Sequence, residues 1–286
     1  MNERKRLAMT VDVEEWFTGV ADEPVEIARY PSRLDVGMNR LLEVLAESNT
    51  RATFFFLGYI AKLAPHWVAK VAGEGHEIGS HGYYHRPVWS TTPAEFRTDQ
   101  AEARRVILAA GAPEVVGFRA PLFSLQKSTT WAFPILEELG FRYSSSLFPI
   151  RNPRYGYPGG PVRPLSVTAT GRFTEFPLST LDVAGMRLPF CGGFYLRALP
   201  SAVLKHAFGQ VLKQDGTAVC YIHPWELDPD QPDLANGPAN RLRHRIGLRT
   251  TASKLKTLLR SFSFATMGEV LADSAPTQRS RHLPLL

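Results

Sequence analysis

Four short stretches hold side chains able to do chemistry together. The first is Asp12-Val13-Glu14, two carboxylates two residues apart. If this stretch ends a strand, both point to one side and address one site, while Glu15 faces the other way as ordinary surface. The second is His81-Gly82-Tyr83-Tyr84-His85. On a helical turn a spacing of four puts two imidazoles on one face, close enough to share a divalent metal. One carboxylate and two histidines make three protein ligands with a coordination position left open, the layout of a catalytic site, and the remaining carboxylate can then serve as a base. The third stretch, Phe118-Arg119-Ala120-Pro121, puts a permanently charged guanidinium beside a proline-fixed turn. The fourth, Tyr221-Ile222-His223-Pro224-Trp225, exposes an imidazole where a strand would stop. Taken singly, each has a plain alternative: solvated turn carboxylates, an incidental histidine pair, a surface ion pair, a satisfied loop histidine. All four, however, fall at the carboxyl ends of strand-like runs, where α/β proteins gather their ligands. His76 stands before a strand and reads as structural.

The elements that must position these residues follow a β-then-α alternation. Strand-like runs at Leu7–Val13, Ala52–Leu57, Glu77–Gly79, Val115–Phe118 and Arg142–Ser145 alternate with helical ones. Leu34, Met38, Leu41, Leu42 and Leu45 recur at three- and four-residue spacing after a candidate Ser32 cap. Further helices are expected at His66–Ala72 and Thr130–Leu139. Thr92-Pro93-Ala94-Glu95 opens another with a capping box and proline at its first position. Such alternation argues for parallel strands wrapped by helices. Between Phe148 and Gly171, Arg151-Asn152-Pro153 and Tyr157-Pro158-Gly159-Gly160-Pro161 predict a long loop with no regular element. Beyond it come a strand at Phe173–Pro177, a glycine-rich loop at Cys191–Gly193, a helix carrying Val203, Leu204, Ala207, Phe208 and Val211, and a strand at Thr217–Ile222. A basic helix at Arg241–Leu259 and an unpatterned tail after Ser274 follow. We divide the chain into 1–150, 151–273 and a tail, 274–286, with the second part completing the fold of the first.

Composition sets outer bounds. With 286 residues, 44% hydrophobic and 21% charged, the chain has the makeup of a globular protein with a large core. No apolar run approaches the ~18 residues of a membrane span. Two cysteines, Cys191 and Cys220, exclude a disulfide framework and a cysteine-based zinc module. Met1–Arg6 does not read as a signal peptide, so the expected compartment is the cytoplasm. The net charge of +6 suits acidic partners, but no nucleic-acid recognition motif accompanies it.

Together these motifs resemble the polysaccharide deacetylase family, the carbohydrate esterases of NodB-homology type. Thr10-Val11-Asp12-Val13-Glu14, Ala52-Thr53-Phe54-Phe55, His81-Gly82-Tyr83-Tyr84-His85, Arg119-Ala120-Pro121 and Ile222-His223 match its motifs in order. Glu175-Phe176-Pro177-Leu178-Ser179-Thr180 and the run from His223-Pro224-Trp225-Glu226 to Pro232 resemble the deacetylases of exosortase and exopolysaccharide loci, which have a DUF3473-type C-terminal region. The resemblance spans Leu7 to Phe264. It implies a distorted (β/α) barrel of about seven parallel strands, a divalent metal, zinc above all, and removal of N-acetyl groups from the amino sugars of a polysaccharide or its lipid-linked precursor. It implies Asp12 as base, Glu14, His81 and His85 as metal ligands, Arg119 as partner of the base and His223 as general acid. Pro121, Trp225 and Tyr195 are the expected substrate contacts. Many members have adjacent aspartates where this chain has Asp, Val and Glu. The family's tryptophan-containing fourth motif is not recognisable, which leaves Asp182 and Glu175 as candidates for the carboxylate that orients His223.

Two rival readings share these motifs. One is the same hydrolysis on another amide or an O-acetyl ester. The other is a catalytically silent glycan binder using Trp225, Tyr195, Phe194 and Trp89 as stacking surfaces, although mere binding needs neither Asp12 nor His223. The stretch Asn240–Arg260 carries Arg241, Arg243, Arg245, Arg249, Lys254, Lys256 and Arg260. It reads as an amphipathic helix with a solvated basic face, or as a face that attracts an anionic membrane or a lipid-linked glycan.

Overall fold

Leu7–Val13 forms the first strand, β1, and all seven of its residues are buried. In the computed structural model, which describes residues 6–18, 27, 29–152, 155–233 and 238–274, both edges of β1 are covered. β10 (Ala218–Ile222) runs parallel along one edge. The other is shared by β2 (Thr53–Phe56) beside Thr10–Val13 and β11 (Phe264–Ala265) beside Leu7–Ala8. A strand so enclosed reads as a nearly continuous apolar run, and Asp12 is the exception that needs a partner. β2 shows the rule: Phe54, Phe55 and Phe56 are all 0% exposed, each burial worth about 2–3 kcal/mol.

From β2 the sheet continues in parallel through β3 (Glu77–Ser80), β4 (Gly117–Phe118), β5 (Tyr143–Ser144) and β7 (Thr174–Glu175). The order β10-β1-β2-β3-β4-β5-β7 supplies the seven parallel strands of the expected distorted barrel. Among the described residues no ladder joins β7 to β10, so the barrel is open there. Ser179 Oγ, accepting from Val219 N–H at 2.9 Å, and Gly192, bridged to Tyr221, span the seam.

Around the sheet lie α1 (Leu34–Glu47), α2 (Gly58–Leu63), α3 (Pro65–Gly73), α4 (Pro93–Ala109), α5 (Ala132–Glu138), α6 (Phe194–Ala198), α7 (Ser201–Asp215), α8 (Pro238–Arg245), α9 (Leu248–Ser261) and α10 (Met267–Asp273). α1 buries the predicted Leu34, Met38, Leu41, Leu42 and Leu45, and Thr92 caps α4 through the predicted box. Among the described residues, no helix is long and apolar enough to cross a membrane.

Three expectations need correction. The loop between Phe148 and Gly171 contains a short strand, β6 (Leu165–Ser166), antiparallel to β7. The segment after β7 forms a hairpin, β8 (Thr180–Val183) with β9 (Met186–Pro189), where no pair was expected. The basic stretch is two helices, because Gly247 takes a left-handed φ of 72° between α8 and α9. Its charges are mostly engaged. Arg241 pairs with Asp233, Arg249 with Asp230 and Lys256 with Glu47. Arg245 donates to the Pro229 and Gln231 carbonyls, Lys254 to those of Arg197 and Leu199, and Arg243 lies over Phe194. The tail beyond Ser274 lies outside the described residues.

Candidate active site

The strands deliver their polar residues to one end of the sheet. Asp12 and Glu14 come from the end of β1, His81 and His85 from the loop after β3, Arg119 from the end of β4 and His223 from the end of β10. Arg119 is 0% exposed and organises the centre. Its Nη1 donates to Asp12 Oδ1 at 2.8 Å and Thr10 Oγ1 at 2.7 Å. Its Nε and Nη2 donate to the Ser145 carbonyl and hydroxyl at 3.0 and 2.9 Å. The guanidinium lies 4.5 Å from the Phe55 ring centre. Every contact of this planar fork is directional, so Asp12 is fixed in orientation as well as neutralised.

Glu14, His81 and His85 form a buried group whose ligand atoms all lie within 4.8 Å of one another. Glu14 Oε1 is 3.0 Å from His81 Nε2 and 3.1 Å from His85 Nε2. His81 Nδ1 lies 2.8 Å from the Arg119 carbonyl, an acceptor only, so the ring proton belongs on Nδ1. In the neutral ring, Nε2 then turns a lone pair toward a carboxylate oxygen, a contact that asks for a cation. Two imidazoles and a carboxylate, one ring locked by an outer hydrogen bond, suit a divalent ion of zinc's kind. Burial acts to raise the Glu14 carboxyl, but the charges of His85 and His223 and the close contacts with the His81 and His85 rings outweigh it and hold the group well below the usual range.

The histidine pair does not sit on a helical turn as expected. Gly82 and His85 have left-handed φ values of 81° and 60°, and the loop brings the two rings to 5.2 Å between centres. Gly58 and Tyr59 at the start of α2 donate their N–H groups to the Gly82 and Tyr83 carbonyls at 2.8 and 3.2 Å, and Asp99 accepts from Tyr83 N–H at 3.0 Å. The spacing of four was informative for a different geometry.

His223 stands beside this group. Its Nε2 is 3.9 Å from Asp12 Oδ2 and 3.9 Å from Glu14 Oε1. Burial works against the imidazolium, yet the charges of Glu14, Glu226 and Asp12 and a hydrogen bond to Glu226 push its pKa up to about 9.

Other expectations change. Glu15 is buried, not surface: it accepts from Ser32 Oγ and from Arg33 N–H, tying the loop after β1 to the start of α1. Neither candidate for orienting His223 reaches it. Asp182, on the β8–β9 hairpin, accepts from Gly185 N–H and pairs with Arg187. Glu175, at the end of β7, is buried and accepts from Ser146 and Leu147 N–H at 2.8 and 2.7 Å. Trp225 is partly buried, and the His223 and His244 rings stack on it at 5.4 and 5.1 Å between centres. Pro121 is buried and opens a 3₁₀ turn, Pro121–Phe123. Tyr195 is half-buried; burial and the neighbouring Tyr155 hydroxyl push its phenol up to about 12. Trp89 is 52% exposed. His76 is structural as expected, its Nδ1 accepting from Ala52 N–H at 3.1 Å. Sequence reasoning missed Glu226, whose signal is a carboxylate three residues after His223.

Residues 21–144 match the polysaccharide deacetylase family. The chain contains a polysaccharide deacetylase domain. Residues 145–272 match a domain of unknown function, DUF3473, so His223, Trp225 and Glu226 belong to that second stretch. The chain is similar to a peptidoglycan-N-acetylglucosamine deacetylase of Bacillus cereus, 33% identical over 96 residues, 32% of this chain and 34% of that one. It is also similar to a chitooligosaccharide deacetylase of Sinorhizobium fredii, 33% identical over 82 residues, 28% of this chain and 38% of that one. The matches thus span little more than a third of these relatives' own length. A crystal structure from Mycobacterium smegmatis carrying the polysaccharide deacetylase name shares the fold, with a TM-score of 0.62 at 21% identity over 96% of this chain and 93% of that one.

Proposed function

We propose that the chain is a metal-dependent hydrolase that removes N-acetyl groups from the amino sugars of a bacterial polysaccharide or its lipid-linked precursor. One observation carries this reading. A carboxylate locked by a buried guanidinium and an imidazole meet beside a His-His-Glu group, with 3.9 Å between Asp12 Oδ2 and His223 Nε2. The names of the relatives favour N-acetylated hexosamines as the substrate class.

An amide is a poor electrophile, so its hydrolysis needs help at the carbonyl, at the water and at the leaving nitrogen. A divalent ion held by Glu14, His81 and His85 would supply polarisation of the acyl oxygen and acidification of water. Asp12 has Oδ1 committed to Arg119, which leaves Oδ2, on the His223 side, to take a proton from the attacking water. Arg119 keeps that oxygen aimed. His223, whose Nε2 faces Asp12 and Glu14, is placed to give a proton from that nitrogen to the amine as the C–N bond breaks. Water's oxygen ends on acetate and the sugar leaves with a free amine.

The test is acetate release from a panel of N-acetylated oligosaccharides by metal-stripped and metal-restored protein. Release that returns with the metal is expected. Equal release without metal, or release only from O-acetyl esters, would overturn the proposal.

A further inference from the structure

An imidazole that delivers a proton at one nitrogen must have its ring held through the other. His223 precedes a 3₁₀ turn, Pro224–Leu227, closed by a bond from Glu226 N–H to the His223 carbonyl at 3.1 Å. Residues three apart on such a turn eclipse one another. The Glu226 side chain therefore stands beside the imidazole, with Oε1 3.2 Å from His223 Nδ1. The two groups ride on one rigid turn.

Glu226 is 0% exposed, a depth at which a carboxylate needs a counter-charge. Arg197 on α6, itself 3% exposed, supplies it: its Nε lies 3.3 Å from the same Oε1. Arg197 is fixed in turn from outside the site. Its Nη1 donates to the carbonyls of His244 and Ile246 at 2.8 and 2.9 Å, where α8 ends. Its guanidinium lies 5.1 Å from the Trp225 ring centre, and that ring is flanked by His223 and His244. An ideal Cβ at Gly247 would meet the Arg197 carbonyl at 2.2 Å, so the chain passes there with no room for a side chain.

We propose that Glu226, held by Arg197, is the positioning carboxylate of His223, and that supplying this pair is what the DUF3473 stretch does for the site. Its consequence for turnover rests on the deacetylase reading above. Glu226 accepts the Nδ1 proton, so Nε2 is the nitrogen presented to Asp12 and Glu14. The arrangement extends the logic of Asp12 with Arg119: a buried guanidinium aims Asp12 directly, and another aims His223 through a buried carboxylate. Neither member of the second pair touches substrate; both act through the imidazole.

The experiment uses the metal-loaded full chain with ¹⁵N-labelled histidine, the His223 signals being identified by their loss in His223→Gln. Wild type should show a downfield, slowly exchanging Nδ1–H proton on His223. Glu226→Gln, nearly isosteric, should move that proton upfield and lower kcat on an N-acetylated oligosaccharide by ~10²-fold with KM nearly unchanged. Arg197→Lys, which keeps the charge but loses the fork, should give a smaller kcat loss in the same direction. Absence of a proton on Nδ1 in the wild type overturns the proposal, as does a Glu226→Gln protein with unchanged signal and kcat. If wild type releases no acetate from any substrate, the deacetylase reading fails, while the Nδ1–H signal still decides the pairing.

Discussion

Replacing Gly37 by alanine tests how tightly the turn bearing His223 is held. Alanine is the better helix former by ~1 kcal/mol, so an open site on α1 would gain stability. Gly37 is not open. An ideal Cβ there would lie 2.3 Å from the Pro224 carbonyl oxygen and 2.5 Å from its carbon, against the ~3.3 Å such a contact needs. About 1 Å must be found between α1 and the turn, and the obstacle is backbone, which cannot rotate away. Nor can the two elements separate freely. Arg33 grips Asp228 with two nitrogens and Arg40 Nη1 donates to the Leu227 carbonyl at 2.9 Å, stapling the turn to α1 on both sides of Gly37. Overpacking costs about 1–3 kcal/mol, and rigid surroundings place this case at the upper end. The net result is a loss of about 2 kcal/mol, or roughly 4–8 °C in Tm for a chain of this size. Displacing His223 by about 1 Å should also cost on the order of 10²-fold in turnover. Gly209, inside α7 with nothing within 4 Å of its ideal Cβ, is the control. Gly209→Ala should raise Tm by about 2 °C and leave acetate release unchanged. Calorimetric melting and acetate release on both variants decide the matter: if Gly37→Ala melted higher and turned over normally, the contact between α1 and the turn would not be what positions His223.

Further outcomes are expected. Purified protein should hold about one divalent ion by elemental analysis, and the His81→Ala, His85→Ala double variant should hold none; equal metal in both would remove the central assignment. Asp12→Asn should keep that metal yet lose at least ~10²-fold in acetate release, whereas Glu14→Ala should weaken metal affinity, and the opposite pattern would exchange the two roles. Burial, with a lesser contribution from Arg51, lowers the His76 pKa to about 4, and its Nδ1 accepts from Ala52 N–H. The folded state therefore binds fewer protons than the unfolded one between about 6.5 and 4, and the stabilisation is full above that window and lost as pH falls through it, at most about 3 kcal/mol. His76→Asn keeps an acceptor without a titration and should flatten the dependence of Tm on pH across that window; an unchanged profile would refute the assignment.

The sequence determined the alternation of strands and helices, the apolar stripe of α1, the capping box of α4 and the residues Asp12, Glu14, His81, His85, Arg119 and His223. These were legible because each depends on local periodicity or on a functional group that few structural roles require. Tertiary structure decided what a periodicity cannot carry, namely which segment covers which. Glu15 alternates outward from β1 on paper, yet the start of α1 folds over it and gives it partners. Trp225 reads from sequence as a sugar platform, and only the fold stacks the His223 and His244 rings on it. The histidine pair is spaced for a helix and shaped by left-handed backbone at Gly82 and His85 instead. The basic stretch breaks at Gly247 because Arg197 passes there, from a segment far away in sequence. Glu226 reads as one more acidic residue after a proline until Arg197 reaches it. A carboxylate's depth and counter-charge are properties of the contact between distant segments, and only the fold creates that contact.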